Sequence, residues 1–199
     1  SASYVNSSGF IIDGPEYLTI FNGQTGAAMQ TVDYDPGRGD TTTWGKTSDK
    51  TNRVDRFLAC TAYLDGVHPS LVTARGYYGK AIVVAYDWDG KNLNKRWRCD
   101  STVSGYGSLA GQGNHNVSVA DLDGDGCDEI VYGSAAIDND GTVAHSTGWG
   151  HGDAIHVSDF NNDGKQEIFG VLEEKPNWGT GFRDAAGKEI WHFKASGRS

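Results

Sequence analysis

The sequence has no long apolar run and no useful stretch of helical periodicity. Nothing approaches the roughly 18 apolar residues of a membrane-spanning helix, and without a 3.6-residue period the chain does not read as a helical fold. It shows no signal peptide and no starting Met, so it reads as a mature or trimmed segment. Cysteine is scarce: Cys60, Cys99 and Cys127 are odd in number and far apart. That pattern makes neither a disulfide framework nor a CxxC metal site, and it predicts three free thiols. Positive charge is also short. The net charge is −9 and no basic stripe offsets it, which argues against nucleic acid or an anionic membrane as partner. What the chain does have is 28 glycines and 6 tryptophans in 199 residues. These suit many short strands, tight turns and aromatic packing around one sizeable core.

The acids are concentrated in one pattern. Residues 121–129 (DLDGDGCDE) place Asp121, Asp123, Asp125 and Glu129 at positions one, three, five and nine of a loop, with glycine at position six. Alternate carboxylates converging on one hard cation, with a glycine for the sharp turn, are the first part of a calcium loop. Cys127, at position seven, offers its backbone carbonyl and not its sulfur. The helical form of this motif needs a glutamate at position twelve. Here that position is Tyr132, and both flanks are short and β-branched, so the expectation is a calcium loop between two strands. The pattern returns 38 residues later in residues 159–167 (DFNNDGKQE), with Asp159, Asn161, Asp163, Lys165 (again by its carbonyl) and Glu167 in the same positions. A strand-built repeat of this length reads as a propeller blade or a solenoid coil.

Taken in order, residues 10–35 read as an outer hairpin, with strands at 16–21 and 27–34 turned at Asn22 and Gly23. A charge-dense run, residues 49–56, precedes strands at 57–64 and 70–75, joined by a loop, residues 64–69, that has lost its carboxylates and should bind no metal. Strands at 81–87 and 94–100 form an outer hairpin, and residues 182–193 form another. Trp97 and Trp191 fall at the same point of an outer strand, where each can cap a blade. The expected fold is all-β: three full blades and the outer half of one before them. A propeller must close on itself to remove its edges. Residues 1–199 are therefore expected to be a single segment of a larger propeller, completed by remaining blades or a second fragment.

The repeat also places a rim. His115 and Asp153 each lie six residues before a loop's first Asp, so they are equivalent positions at the start of adjacent inner strands, and His151 lies two before Asp153. After the second loop the chain returns to the same rim at Glu173, or at Glu174 if the register slips by one. A mixed His/carboxylate set of this kind can bind a metal: its oxygens permit calcium, and its two imidazoles favour a transition metal. The alternative is that the histidines only hydrogen-bond neighbouring loops. The same counting places Arg75, Tyr77 and Tyr78 on the rim, with Arg53 and Arg56 nearby. Arginines beside aromatic rings suit an acidic sugar; the alternative is a solvated loop whose arginines pair with local acids.

Residues 52–59 (NRVDRFLA), 62–66 (AYLDG), 68–71 (HPSL), 74–78 (ARGYY), 111–116 (GQGNHN) and 147–153 (TGWGHGD) closely resemble the rhamnogalacturonan lyases of polysaccharide lyase family 11, over nearly the whole chain. The resemblance implies a secreted, extracellular bacterial enzyme that cleaves the rhamnose–galacturonate backbone of pectin by β-elimination. It also implies an eight-bladed propeller holding several Ca2+ ions, of which this chain supplies about three and a half blades. The family's metal ligands map onto His115, His151, Asp153 and Glu173; Arg53, Arg56, Arg75 and Tyr78, from the rim reading, are the candidate substrate-binding residues. The chain lacks the family's N-terminal β-domain. The basic residues proposed for proton abstraction lie in later blades, so no general base is named here and the isolated chain is expected to be inactive or very weak. The alternative is a non-catalytic, calcium-stabilised propeller segment that binds carbohydrate or protein.

Overall fold

Glycine-marked turns alternate with short β-branched and aromatic runs, and the result, among the described residues, is fourteen short strands. The computed structural model describes residues 3–45 and 52–196, apart from the side chain of Asn52. Residues 49–51 of the charge-dense run lie outside the described residues. The first sheet is a hairpin of β1 (Tyr17–Phe21) and β2 (Ala28–Asp33). The second holds β3 (Phe57–Ala62), β4 (Ser70–Arg75), β5 (Ile82–Trp88) and β6 (Leu93–Asp100). The third holds β7 (Ser118–Ala120), β8 (Glu129–Tyr132), β9 (Ala135–Ile137) and β10 (Val143–Ser146). The fourth holds β11 (Gly152–Ser158), β12 (Glu167–Leu172), β13 (Gly179–Asp184) and β14 (Glu189–Lys194). Every pairing is antiparallel and follows chain order. Among the described residues there is no α-helix, only three single-turn 3-10 segments, and no helix is long and apolar enough to cross a membrane.

The sheets pack face to face. β4 and β5 are buried on both faces along most of their length, because the second sheet has a neighbour on each side. Towards the first sheet it presents Ile82, Val84 and Tyr86, packed with Trp44, Val54 and Leu18. Towards the third it presents Val72, Ala74, Val83 and Ala85, packed with Ile130, Tyr132 and Ile137. Alternation along a strand sends successive residues to opposite faces, so Val131, next to Ile130, packs instead on Ile155 and Ile168 of the fourth sheet. All three cysteines are free.

Cross-strand rows show what each face meets. In the second sheet Cys60, Val72, Ala85 and Trp97 are directly paired across four strands. The third sheet covers this row: the Trp97 indole N–H donates to the Asn139 carbonyl at 2.8 Å, and its ring lies on Gly141. In the fourth sheet the row is His156, Phe169, Phe182 and Trp191. Here Phe182 and Trp191 stack on each other with ring centroids 5.6 Å apart. Trp191 is 44% exposed and Phe193, two residues on, is 64% exposed.

Two expectations need correction. The first hairpin does not turn at Asn22 and Gly23 alone. The Asn22 N–H bonds the Ala27 carbonyl, and Gly26 supplies the left-handed residue, so the turn is wider than a two-residue connection. Arg75 is not on the rim. It is fully buried, with Nε donating to the Val54 carbonyl at 2.8 Å, Nη1 to the Pro36 carbonyl at 2.8 Å, and both Nη atoms to the Glu16 carboxylate. Gly76 then takes a left-handed turn pressed against Trp44 and Lys80, so the chain reverses between Arg75 and the tyrosines that follow. Arg75 therefore fastens the first sheet to the second. Breaking a buried ion pair from one side leaves the other charge stranded. Arg75→Met is expected to cost about 3 kcal/mol, seen as a fall of several degrees in Tm by calorimetry.

Candidate metal centre

Local pairing explains why four ligating side chains meet. Gly152 opposes Leu172 at the start of the fourth sheet, and one more backbone bond, from the Glu173 N–H to the His151 carbonyl at 3.1 Å, carries the pairing past the strand ends. His151 and Glu173 are thus cross-strand neighbours, with His151 Nε2 3.3 Å from Glu173 Oε2. The register shifts between Gly152 and Ala154. An extra residue in one strand re-aims a side chain, and Asp153 is that residue. His115 comes from the third sheet's side, where Asn114 makes a parallel bridge to Gly152. Its Nε2 lies 3.1 Å from His151 Nε2 and 3.9 Å from Asp153 Oδ1. One ligating atom from each of His115, His151, Asp153 and Glu173 falls within 4.8 Å of all the others. Glu174, the other possibility, lies against Gly150 instead.

The donor set fits a divalent ion. His151 is buried, and its Nδ1 sits 2.6 Å from the Gly113 carbonyl. A carbonyl only accepts, so Nδ1 carries the proton and Nε2 keeps its lone pair, the form a metal requires. Burial lowers the basicity of His151, against the pull of the Gly113 carbonyl, and so favours the neutral ring. Tyr77 stacks on the same ring at 5.2 Å with planes 4° apart, which fixes its orientation. The three other ligands are partly exposed, so the centre opens to solvent on one side. The support from Gly113 and Tyr77 could not be read from the sequence, since a backbone carbonyl carries no signature and Tyr77 was grouped with the rim surface.

Tyr78 borders the cluster, with its hydroxyl 3.3 Å from His115 Nε2. The Arg53 guanidinium lies 3.5 Å from the Tyr78 ring centroid and that of Arg56 at 6.0 Å. Arg53, Arg56 and Tyr78 are therefore brought together beside the four ligands, as the repeat counting suggests, while Arg75 is not.

The two acidic loops share one backbone path. Positions four and six are left-handed in both: Gly124 and Gly126 in the first, Asn162 and Gly164 in the second. In each, the last glutamate's Oε2 accepts the N–H of position two, at 2.6 Å from Leu122 and 2.9 Å from Phe160. In each, the position-five carboxylate accepts the N–H of position seven, Cys127 or Lys165. The first loop gathers Asp121, Asp123 and Glu129 closely enough for one cation. Glu129 is buried and its Oε1 has no partner. Burial, reinforced by Asp123, Asp138 and Asp125 and opposed by the Leu122 N–H, pushes its pKa up to about 7. In the second loop the Asn161 amide donates to Glu167 at 2.8 Å and Asp163 at 3.2 Å, so nitrogen stands among those carboxylates. Both loops face one cavity of about 1120 Å³, to which Asp138 from the β9–β10 turn adds a further acid. Asp138 was not singled out in the sequence, although the acidic turn Asp138–Asp140 was there to find. The loop at residues 64–69 keeps one acid, Asp65, whose carboxylate accepts the Val67 and His68 N–H groups and pairs with the His68 ring.

The model of the rhamnogalacturonan lyase family 11 C-terminal domain matches residues 1–199. Among curated proteins, the rhamnogalacturonan exolyase YesX of Bacillus subtilis is 54% identical over 198 residues, covering 98% of this chain and 32% of the relative. The rhamnogalacturonan endolyase YesW of the same organism is 51% identical over 195 residues, covering 96% of this chain and 31% of the relative. The crystal structure of YesW superposes with a TM-score of 0.92 at 50% identity, covering 98% of this chain and 33% of that one. The chain thus spans about a third of the length of the relatives it matches.

Proposed function

This chain belongs to rhamnogalacturonan lyase family 11, and from that premise we propose that it forms the metal-bearing part of an extracellular lyase. The substrate is the rhamnose–galacturonate backbone of pectin, a polymer met outside the cell, and cleavage is by calcium-dependent β-elimination. The carrying observation is the convergence of His115, His151, Asp153 and Glu173 on one open point. Elimination requires the galacturonate carboxylate to be neutralised so that the C5 proton becomes acidic, after which the C4 oxygen leaves. A divalent ion held by these four residues supplies positive charge for that carboxylate. His151 presents a bare Nε2, and the carboxylates of Asp153 and Glu173 balance the ion's charge. Arg53 and Arg56 offer further cations along the Tyr78 ring, where a sugar's apolar face can pack while its carboxylate is paired. The residue that takes the C5 proton comes from outside these 199 residues, in parts that the longer relatives possess.

We further propose that the four sheets are blades of a propeller and that residues 121–129 and 159–167 bind structural calcium. Support for the propeller comes from the fourth sheet, whose aromatic row matches the row that the second sheet buries against the third. A face of this kind suits a further four-stranded sheet, with Trp191 seated as Trp97 is. The test is to follow ultraviolet absorbance of rhamnogalacturonan backbone incubated with the full-length protein, with and without chelator. Elimination creates an absorbing C4–C5 double bond and hydrolysis does not. A calcium-dependent rise is expected. Cleavage without a rise overturns the elimination, and binding without cleavage favours a carbohydrate-binding module.

A further inference from the structure

Three of the four clustered ligands, His151, Asp153 and Glu173, belong to the fourth sheet, and the other, His115, enters from the third. The centre therefore straddles the seam between two sheets. The offset between the segment carrying His115, just before β7, and the strand carrying Asp153 decides whether the fourth ligand reaches the other three. At that seam Asn114 bridges Gly152 in parallel. Two residues on, the backbone bond is replaced by a side chain. The Asn116 Nδ2 donates to the Ile155 carbonyl at 3.0 Å, and its Oδ1 accepts the Ile155 N–H at 3.0 Å. A carboxamide that satisfies both backbone groups of one residue does what a strand partner does, and it fixes direction as well as distance. His115 lies between the two fastened residues of the segment that leads into β7, and Asp153 lies between the two fastened residues of β11.

We propose that Asn116 is a positioning residue for the rim centre. Its carboxamide locks the segment leading into β7 against β11 at the offset that brings His115 to the ligands of the fourth sheet. The proposal rests on the reading of those four residues as a metal centre. Ile155 is almost fully buried, so without the amide its N–H and carbonyl are left unpaired, and the Asn114–Gly152 bridge alone flanks His115 at the seam. Outer groups that orient ligands typically cost about 10- to 100-fold in metal affinity when removed.

The experiment titrates calcium into chelator-stripped full-length protein by calorimetry, with the His151→Ala variant identifying which binding event is the rim. In Asn116→Ala the rim Kd is expected to rise about 10- to 100-fold, while the loop ions bind as before. In a His115→Ala background the same change should add no further loss, because the ligand it positions is already gone. If Asn116→Ala does not fold, Asn116→Asp keeps the acceptor for the Ile155 N–H but sets a carboxylate oxygen against the Ile155 carbonyl, and a weakened rim is expected there too. An unchanged rim Kd in a folded Asn116 variant, or an equal further loss in the His115→Ala background, assigns Asn116 a structural role only and overturns the proposal. A wild-type protein with no binding event missing from His151→Ala overturns the metal centre itself, and with it this inference.

Discussion

Replacing His151 with alanine is expected to lower the lyase activity of the full-length protein by at least about 100-fold, the scale seen when a group that stabilises developing charge is lost. His151 is the one buried member of the cluster, and its tautomer is set by the Gly113 carbonyl. The truncation removes the ligand whose protonation and orientation are fixed before any ion arrives. Ion content should fall by one per chain in equilibrium dialysis, and the loop ions should remain. The effect should appear in kcat/KM at every substrate length, since the ion acts at the sugar being cleaved. Arg53→Ala, at the edge of the site, should instead raise KM more than it lowers kcat. Full activity in His151→Ala would remove the rim ion from the reaction.

Chelation is expected to lower the Tm of wild-type protein by ~10 °C or more. An ion held at a thousandfold excess over its Kd stabilises by about 4 kcal/mol, and for a domain of this size each kcal/mol shifts Tm by about 2–4 °C. The acids around the shared cavity make the sign of a mutation depend on calcium. Glu129→Gln removes a ligand, so with calcium present it should lower Tm. In chelator it removes a buried charge whose Oε1 has no partner, so it should leave Tm unchanged or raise it. The pH dependence follows from the same group. The folded-state pKa of Glu129 is raised from 4.5 to about 7, so its contribution without calcium is fully present below pH 4.5 and is lost as pH rises towards 7. Chelated wild-type protein should therefore show a loss of stability across that window that Glu129→Gln lacks. A Tm indifferent to chelator would show that neither loop holds a structural ion.

Much of this was legible because it repeats. The one-three-five-nine spacing at Asp121 and Asp159 fixed where strands begin and end, and the common six-residue offset put His115 and Asp153 on one rim. What failed was set by contacts between distant positions. Arg75 sits two residues from Tyr77, and spacing alone placed both on the rim. The left-handed turn at Gly76 separates them, and the acid that captures Arg75 is Glu16, 59 residues away. A one-residue change of direction sends a strand's side chains to the opposite face, so such an error moves a residue from solvent to core. The β9–β10 hairpin was also missed, since three-residue β9 is too short to show alternation. Asn116 gave no signal, because a side chain standing in for a strand partner can be recognised only when the partner is in view.

The most direct test of the central claim is a crystal structure of the protein grown in calcium, read for anomalous scattering at the rim. A peak is expected between His115, His151, Asp153 and Glu173, with donor atoms at about 2.0–2.6 Å, beside separate peaks in the loops at Asp121 and Asp159. Peaks in both loops and none at the rim would contradict it, and would leave a calcium-stabilised carbohydrate-binding propeller in its place.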